Sequence, residues 1–186
     1  MNKHILKFIP MLLLFLLPEF IKAQEIPKKR IYTSALKDLR KCEKRLISYI
    51  LKKESSNDRA SYSYLKSNAY KNIDSTTVKS FNTQNKQSIE LDFLTCPSIV
   101  KIVSEAAYKK LKLHKRRSWK KLAKKYPKYP MVLELSNIGI NDTKTQALLT
   151  YFEKGHSSMS AEGRYVILEK RENQWEVVAT MNSIVY

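Results

Sequence analysis

The sequence predicts an α+β fold, with a long N-terminal helix and short basic helices packed on an antiparallel β-meander of about four strands. Three observations predict it. Apolar residues recur at steps of three and four from Ile31 to Ile50. A second stretch, from Glu105 to Tyr126, has the same period but is loaded with positive charge. The last third instead holds four β-rich runs between clusters of turn residues, and those starting at Met131 and Trp175 alternate at period two.

The chain has 186 residues, and its first 23 have the three-part grammar of a cleavable secretory signal. Lys3 and Lys7 supply the positive start, Ile9 to Leu17 the apolar run, and Ile21-Lys22-Ala23-Gln24 the cut after Ala23. A membrane anchor needs about 20 apolar residues, and Glu19 arrives too early for that. The expected product is a single periplasmic or secreted domain, residues 24–186, opening on a flexible basic tail over 24–30. The whole chain carries a formal charge of +18, and loss of the leader lowers it only to +16. An excess of that size favours polyanionic partners. Outside the cytoplasm these are anionic lipid, lipopolysaccharide, acidic glycan, extracellular nucleic acid or an acidic protein.

Within the domain, Ile31, Ala35, Leu39, Cys42, Leu46 and Tyr49 or Ile50 form one stripe, predicting a helix over 31–52 of roughly 33 Å. Short strands are expected between Tyr62 and Ile73 and from Ser88 to Leu94. Two helices follow, about Glu105 to Leu113 and Trp119 to Tyr126, because Lys115 breaks a continuous stripe; Ser118 is a plausible cap for the second. Met131 to Ile140, Thr145 to Phe152, Arg164 to Lys170 and Trp175 to Met181 are the four expected strands. In the first of them Val132, Glu134 and Ser136 alternate with Met131, Leu133 and Leu135, as on a strand with one solvated face. Gly139, Gly155 and Gly163 are expected to serve turns and bulges that need positive φ.

Cys42 and Cys96 are the only cysteines, and an oxidising compartment suggests that they pair. A bridge closing a loop of about 50 residues would stabilise the fold by about 4 kcal/mol in the chain-entropy account. Two buried thiols are the alternative.

The sequence points away from catalysis. After the leader only His114 and His156 remain, with no zinc-type ligand spacing and no Gly-rich nucleotide loop. Asp92, Glu134 and Glu153 read as surface charges, and neither a metal nor a cofactor is implied.

The candidate binding residues lie in the 28 residues from Ala106 to Leu133, which contain no acidic side chain. Lys109, Lys110, Lys112, Lys115, Arg116, Arg117, Lys120, Lys121, Lys124 and Lys125 crowd this stretch, interleaved with Tyr108, Leu111, Trp119, Leu122, Ala123 and Tyr126. A basic amphipathic helix can lie on an anionic surface or follow a polyanion backbone. It can equally bury its stripe and merely keep the protein dissolved. The favoured function is thus a non-enzymatic, exported binding protein with a cationic helical face. The alternative is an α+β domain whose pocket, between helix and sheet, binds or converts a small ligand.

Trp119-Lys120-Lys121-Leu122 with Tyr126-Pro127, Leu135-Ser136-Asn137-Ile138-Gly139-Ile140-Asn141, Gln146-Ala147-Leu148, Gly163, Leu168-Glu169-Lys170 and Trp175 resemble a group of short bacterial exported proteins of unknown activity. The likeness covers about 70 residues and extends faintly to Ser80-Phe81 and Asn85. These are turn and core positions, so the resemblance implies a fold rather than an activity. A long helix on a curved antiparallel sheet is also loosely similar to cystatin-like or nuclear-transport-factor-2-like architecture.

Overall fold

The computed structural model describes residues 28–38, 49–56, 58–92, 94, 96, 98–127, 131–155 and 162–183. The expected leader, Cys42, the 39–48 part of the predicted long helix and His156 lie outside the described residues.

Helix α1 covers 28–38, so Lys28, Lys29 and Arg30, expected in a flexible tail, belong to a helix. Its Ile31, Tyr32, Ala35 and Leu36 are all at most 2% exposed. The predicted helix does not run to Lys52, because Tyr49–Lys52 is strand β1. The physical reason is burial on both faces: Tyr49 and Leu51 join the cluster around α1, whereas Ile50 packs with Trp119 and Leu122. A short continuous apolar run of this kind fits a doubly covered strand as well as a helix, so its period cannot decide.

Tyr62–Asn68, expected as a strand, is helix α2, capped by Ser61, whose side chain accepts from the Tyr64 N–H. Only Leu65 is buried in it, and the β-favouring Tyr62 ring stays outside at 36% exposure. Helix α3, Ser75–Gln84, buries Thr77, Val78 and Phe81. The expected strand from Ser88 to Leu94 is reduced to one isolated bridge, Glu54 with Glu90, while Leu91 and Leu94 plug into the core. The strand of this region is β2, Ile99–Val103, a short β-branched run outside the expected bounds.

Helices α4, Glu105–Lys110, and α5, Arg116–Lys125, follow. Then come β3 (Met131–Leu135), β4 (Gly139–Ile140), β5 (Gln146–Lys154), β6 (Glu162–Arg171) and β7 (Gln174–Asn182). The expected four-stranded antiparallel meander is therefore part of a larger, mixed sheet of seven strands. Its order is β2-β1-β3-β5-β6-β7, with β4 beside β5. β2, β1 and β3 run parallel, and β3, β5, β6 and β7 antiparallel. The chain makes the two parallel neighbours of β1 by returning through helices, as parallel connections require.

Side-chain alternation sorts the core into two faces. Leu133, Leu135, Leu149, Tyr151, Val166 and Leu168 meet α1 on one face. On the other, Leu148, Tyr165 and Ile167 meet α2 and α3, and Ile50 and Val132 meet α5. The expected solvated face of β3 is thus covered, with Val132 and Ser136 fully buried and Glu134 only 7% exposed.

None of the described glycines has positive φ, contrary to expectation; the left-handed positions are Lys112, Lys144, Glu172 and Asn173. Glu172 and Asn173 form the two-residue β6–β7 hairpin, where both central residues need that conformation. Gly139 is required instead by close approach, because a Cβ there would run into the backbone N and Cα of Phe81.

Asp74 shows how locally such an element is fixed. Its carboxylate caps α3 by accepting from the Thr76 N–H (2.8 Å) and Thr76 hydroxyl (2.9 Å), and it also accepts from Asn141 Nδ2 (3.2 Å). The backbone bond from Thr76, then its hydroxyl, holds this carboxyl below its ordinary value. A depressed folded value contributes stability above the ordinary carboxyl pKa that is lost as pH falls through the folded one. Asp74→Ala should therefore cost about 1 kcal/mol at neutral pH. In urea denaturation run from neutral to acid, the difference from wild type should shrink below about pH 4.

Candidate polyanion-binding face

The basic segment folds as two helices, but Ser118 lies inside α5 rather than capping it. The cap position is Lys115, which makes no side-chain capping bond. Lys112, at φ 49°, turns the chain between the two helices.

Trp119 (7% exposed) and Leu122 (6%) anchor α5 on Ile50, Val103 and Val132, with Ala107, Tyr108, Leu111, Leu113 and Tyr126 packed around them. The Trp119 indole N–H donates to the Leu113 carbonyl at 2.5 Å, tying α5 back to the loop before it. With the apolar stripe so engaged, the charged positions are left outside. Lys109, Lys110, Lys112, Lys115, Arg116, Arg117, Lys120, Lys121, Lys124 and Lys125 are all exposed. At 3.6 residues per turn, Arg116, Lys120 and Lys124 form one row and Arg117, Lys121 and Lys125 a second, side by side along about 13 Å of helix.

This arrangement is unfavourable for the isolated helix. Each like-charged pair four residues apart costs about 0.2–0.5 kcal/mol. Arg116 and Arg117 sit in the first turn, where the helix dipole favours anions, and no acidic residue is present there to oppose them. Among the described residues, the only ion pair made by these ten cations is Lys109 Nζ with Glu105 at 3.6 Å.

Beneath α4 lies a polar cluster that the sequence reading missed. Glu134, expected as a surface charge, accepts from the Tyr108 hydroxyl (2.8 Å) and from Lys154 Nζ (2.6 Å). Burial, with the Glu134 carboxylate beside it, pushes the Tyr108 phenol well above its ordinary value, so it remains a donor. Lys52 Nζ pairs with Glu105 at 2.5 Å, and this bond is the main cause that lowers the Glu105 carboxyl. Both lysines also lie over the Tyr108 ring, at 5.7 and 6.0 Å from its centre. The cluster pins α4 to β1, β3 and β5. Its one sequence signal is an acid at a covered position of an otherwise apolar strand. Glu153, also expected at the surface, is buried at 5% exposure; Asp92 is exposed as expected.

His114 is exposed, and no cluster of three or more metal-ligating side chains occurs among the described residues. No described helix is long and apolar enough to cross a membrane. The described cavities lie at the surface: one of about 540 Å³ between α1 and the β6–β7 turn, and two of about 380 and 400 Å³ beside α3. Comparison of the chain with protein-family models, with curated proteins and with solved structures finds no match.

Proposed function

We propose that this protein is an exported, non-enzymatic binding protein whose α4–α5 face engages an anionic envelope or extracellular component. The observation that carries the reading is a division of labour within α5. Its apolar stripe is spent on the sheet, through Trp119 and Leu122, while the ten cations from Lys109 to Lys125 face solvent. A helix held in place by packing can present charge that would otherwise unwind it, and a polyanion would relieve the repulsion. Anionic lipid, lipopolysaccharide, acidic glycan and an acidic protein all share the required charge. Among the described residues Tyr62 is the only exposed large hydrophobic side chain, and it belongs to α2. The face therefore works by charge, without an apolar wedge.

A pocket enclosed between helix and sheet, the alternative, finds less support, because helices with Leu91 and Leu94 cover both sheet faces and the described cavities lie at the surface. Binding to heparin and to anionic vesicles across a salt series tests the reading, with Lys120, Lys121, Lys124 and Lys125 replaced by Gln as the control.

Export and kinship with short bacterial exported proteins belong to the same proposal, resting on the leader-like residues 1–23 and the motifs around Trp119 and Gly139. So does the Cys42–Cys96 disulfide, which rests on the two cysteines of the chain and the oxidising compartment that export implies. Thiol alkylation of the unfolded, unreduced protein should modify no cysteine, and should modify both after reduction. Two modified cysteines before reduction would refute the bridge.

A further inference from the structure

The groove between α1 and the β6–β7 turn, on the sheet face opposite α5, has a chemistry of its own. Lys29, Arg30, Thr33 and Ser34 line it from one flank of α1, and Asn173, Gln174 and Trp175 from the hairpin. Its volume of about 540 Å³ falls in the range of small-ligand sites. No acidic side chain is among these lining residues, so the two cations set its sign.

The lining polar groups are unspent. Among the described residues, the side chains of Lys29, Arg30, Thr33, Ser34, Asn173 and Gln174 make no hydrogen bond or ion pair, although other polar side chains of the fold are tied to one another. Both walls are firm. Ile31, Tyr32, Ala35 and Leu36 lock α1 onto the sheet. The hairpin is fixed by its paired left-handed residues, Glu172 (φ 46°) and Asn173 (φ 68°). At the second of these positions glycine would be most relaxed, yet the chain carries an amide side chain there.

We propose that this groove binds an anionic sugar unit of a glycan, a uronate or a sulfated hexose. Lys29 and Arg30 would take the acid group, and Arg30 can do so through two parallel bonds. Thr33, Ser34, Asn173 and Gln174 each offer both donor and acceptor capacity, which is what ring hydroxyls need. Trp175 also lines the groove, but at 9% exposure it belongs to the core cluster, so the polar side chains carry the recognition. This deepens the polyanion reading by naming its acidic-glycan arm, and it stands on different residues.

The test is titration of the purified protein with a heparin-derived disaccharide, too short to span the cation rows of α5, followed by calorimetry. K29Q/R30Q should weaken binding by about tenfold or more, and N173A/Q174A by a smaller factor. K120Q/K121Q/K124Q/K125Q should leave disaccharide affinity unchanged while reducing binding of long heparin. The desulfated, carboxyl-reduced disaccharide should bind at least about tenfold more weakly than the acidic one. Disaccharide binding that survives K29Q/R30Q, or that inorganic sulfate matches in affinity, would overturn the proposal. Long-heparin binding that survives the α5 changes would overturn the α5 reading and leave this one standing.

Discussion

Replacing Lys120, Lys121, Lys124 and Lys125 together with Gln should lower affinity for long heparin by about a hundredfold or more near physiological salt. It should also flatten the dependence of log K on log salt by about 3 to 4, close to one unit per lost contact on a densely charged polymer. All four side chains are free to contact the polymer, because all are exposed and none is held in an ion pair with a described residue. The same change should make the protein slightly more stable. It removes the like-charged pairs Arg116–Lys120, Arg117–Lys121, Lys120–Lys124 and Lys121–Lys125, for a gain of about 1 kcal/mol in urea denaturation at low salt. Opposite signs separate a lost binding face from a damaged fold. If the variant keeps both affinity and salt slope, the lysines only solubilise the protein.

Gly139→Ala should destabilise the fold by about 3 kcal/mol or more, at the upper end of overpacking costs. The new methyl group would meet backbone atoms of Phe81, which lie in α3 and cannot turn away as a side-chain tip can. Relief requires α3 to lift from β4. That movement would strain the Ile140 N–H to Ser80 hydroxyl bond (3.2 Å). It would also strain the paired bonds between Asn85 and the Asn137 backbone, at 2.8 and 3.1 Å. Gly163→Ala is the control, since a Cβ there meets the Ser183 hydroxyl and the Phe152 ring, side chains with some freedom to shift. Its cost should be the smaller of the two in urea denaturation. A loss below about 0.5 kcal/mol for Gly139→Ala, the range of ordinary surface changes, would show that α3 is not held against β4.

Much of the fold was legible where local signals sufficed. The runs that become β5, β6 and β7 are rich in β-branched and aromatic residues and bounded by turn residues, so their strand state was legible before any pairing was known. The two basic helices were legible too, because Trp119 and Leu122 keep helical spacing amid lysines and the stripe breaks near Lys115. The cationic face was therefore visible as a set of residues. Its orientation was not, since only packing on Ile50 and Val132 decides that the stripe is spent on the sheet and the charges are left outside.

By itself, then, the sequence determined an excess of positive charge, β-rich runs between turn residues in its last third, and an acid-free basic stretch at helical period. Tertiary structure decided the rest. Tyr49–Lys52 became a strand because cover arrived from both sides, and Glu134 became a buried partner of Tyr108 and Lys154 because α4 closed over β3. Gly139 is a glycine because α3 touches it, and the α1 groove exists because a hairpin far away in the chain meets the first described helix. Each of these depends on what lies opposite a residue in space. A period in one chain records which side of an element is apolar, but not how many sides the rest of the protein will cover.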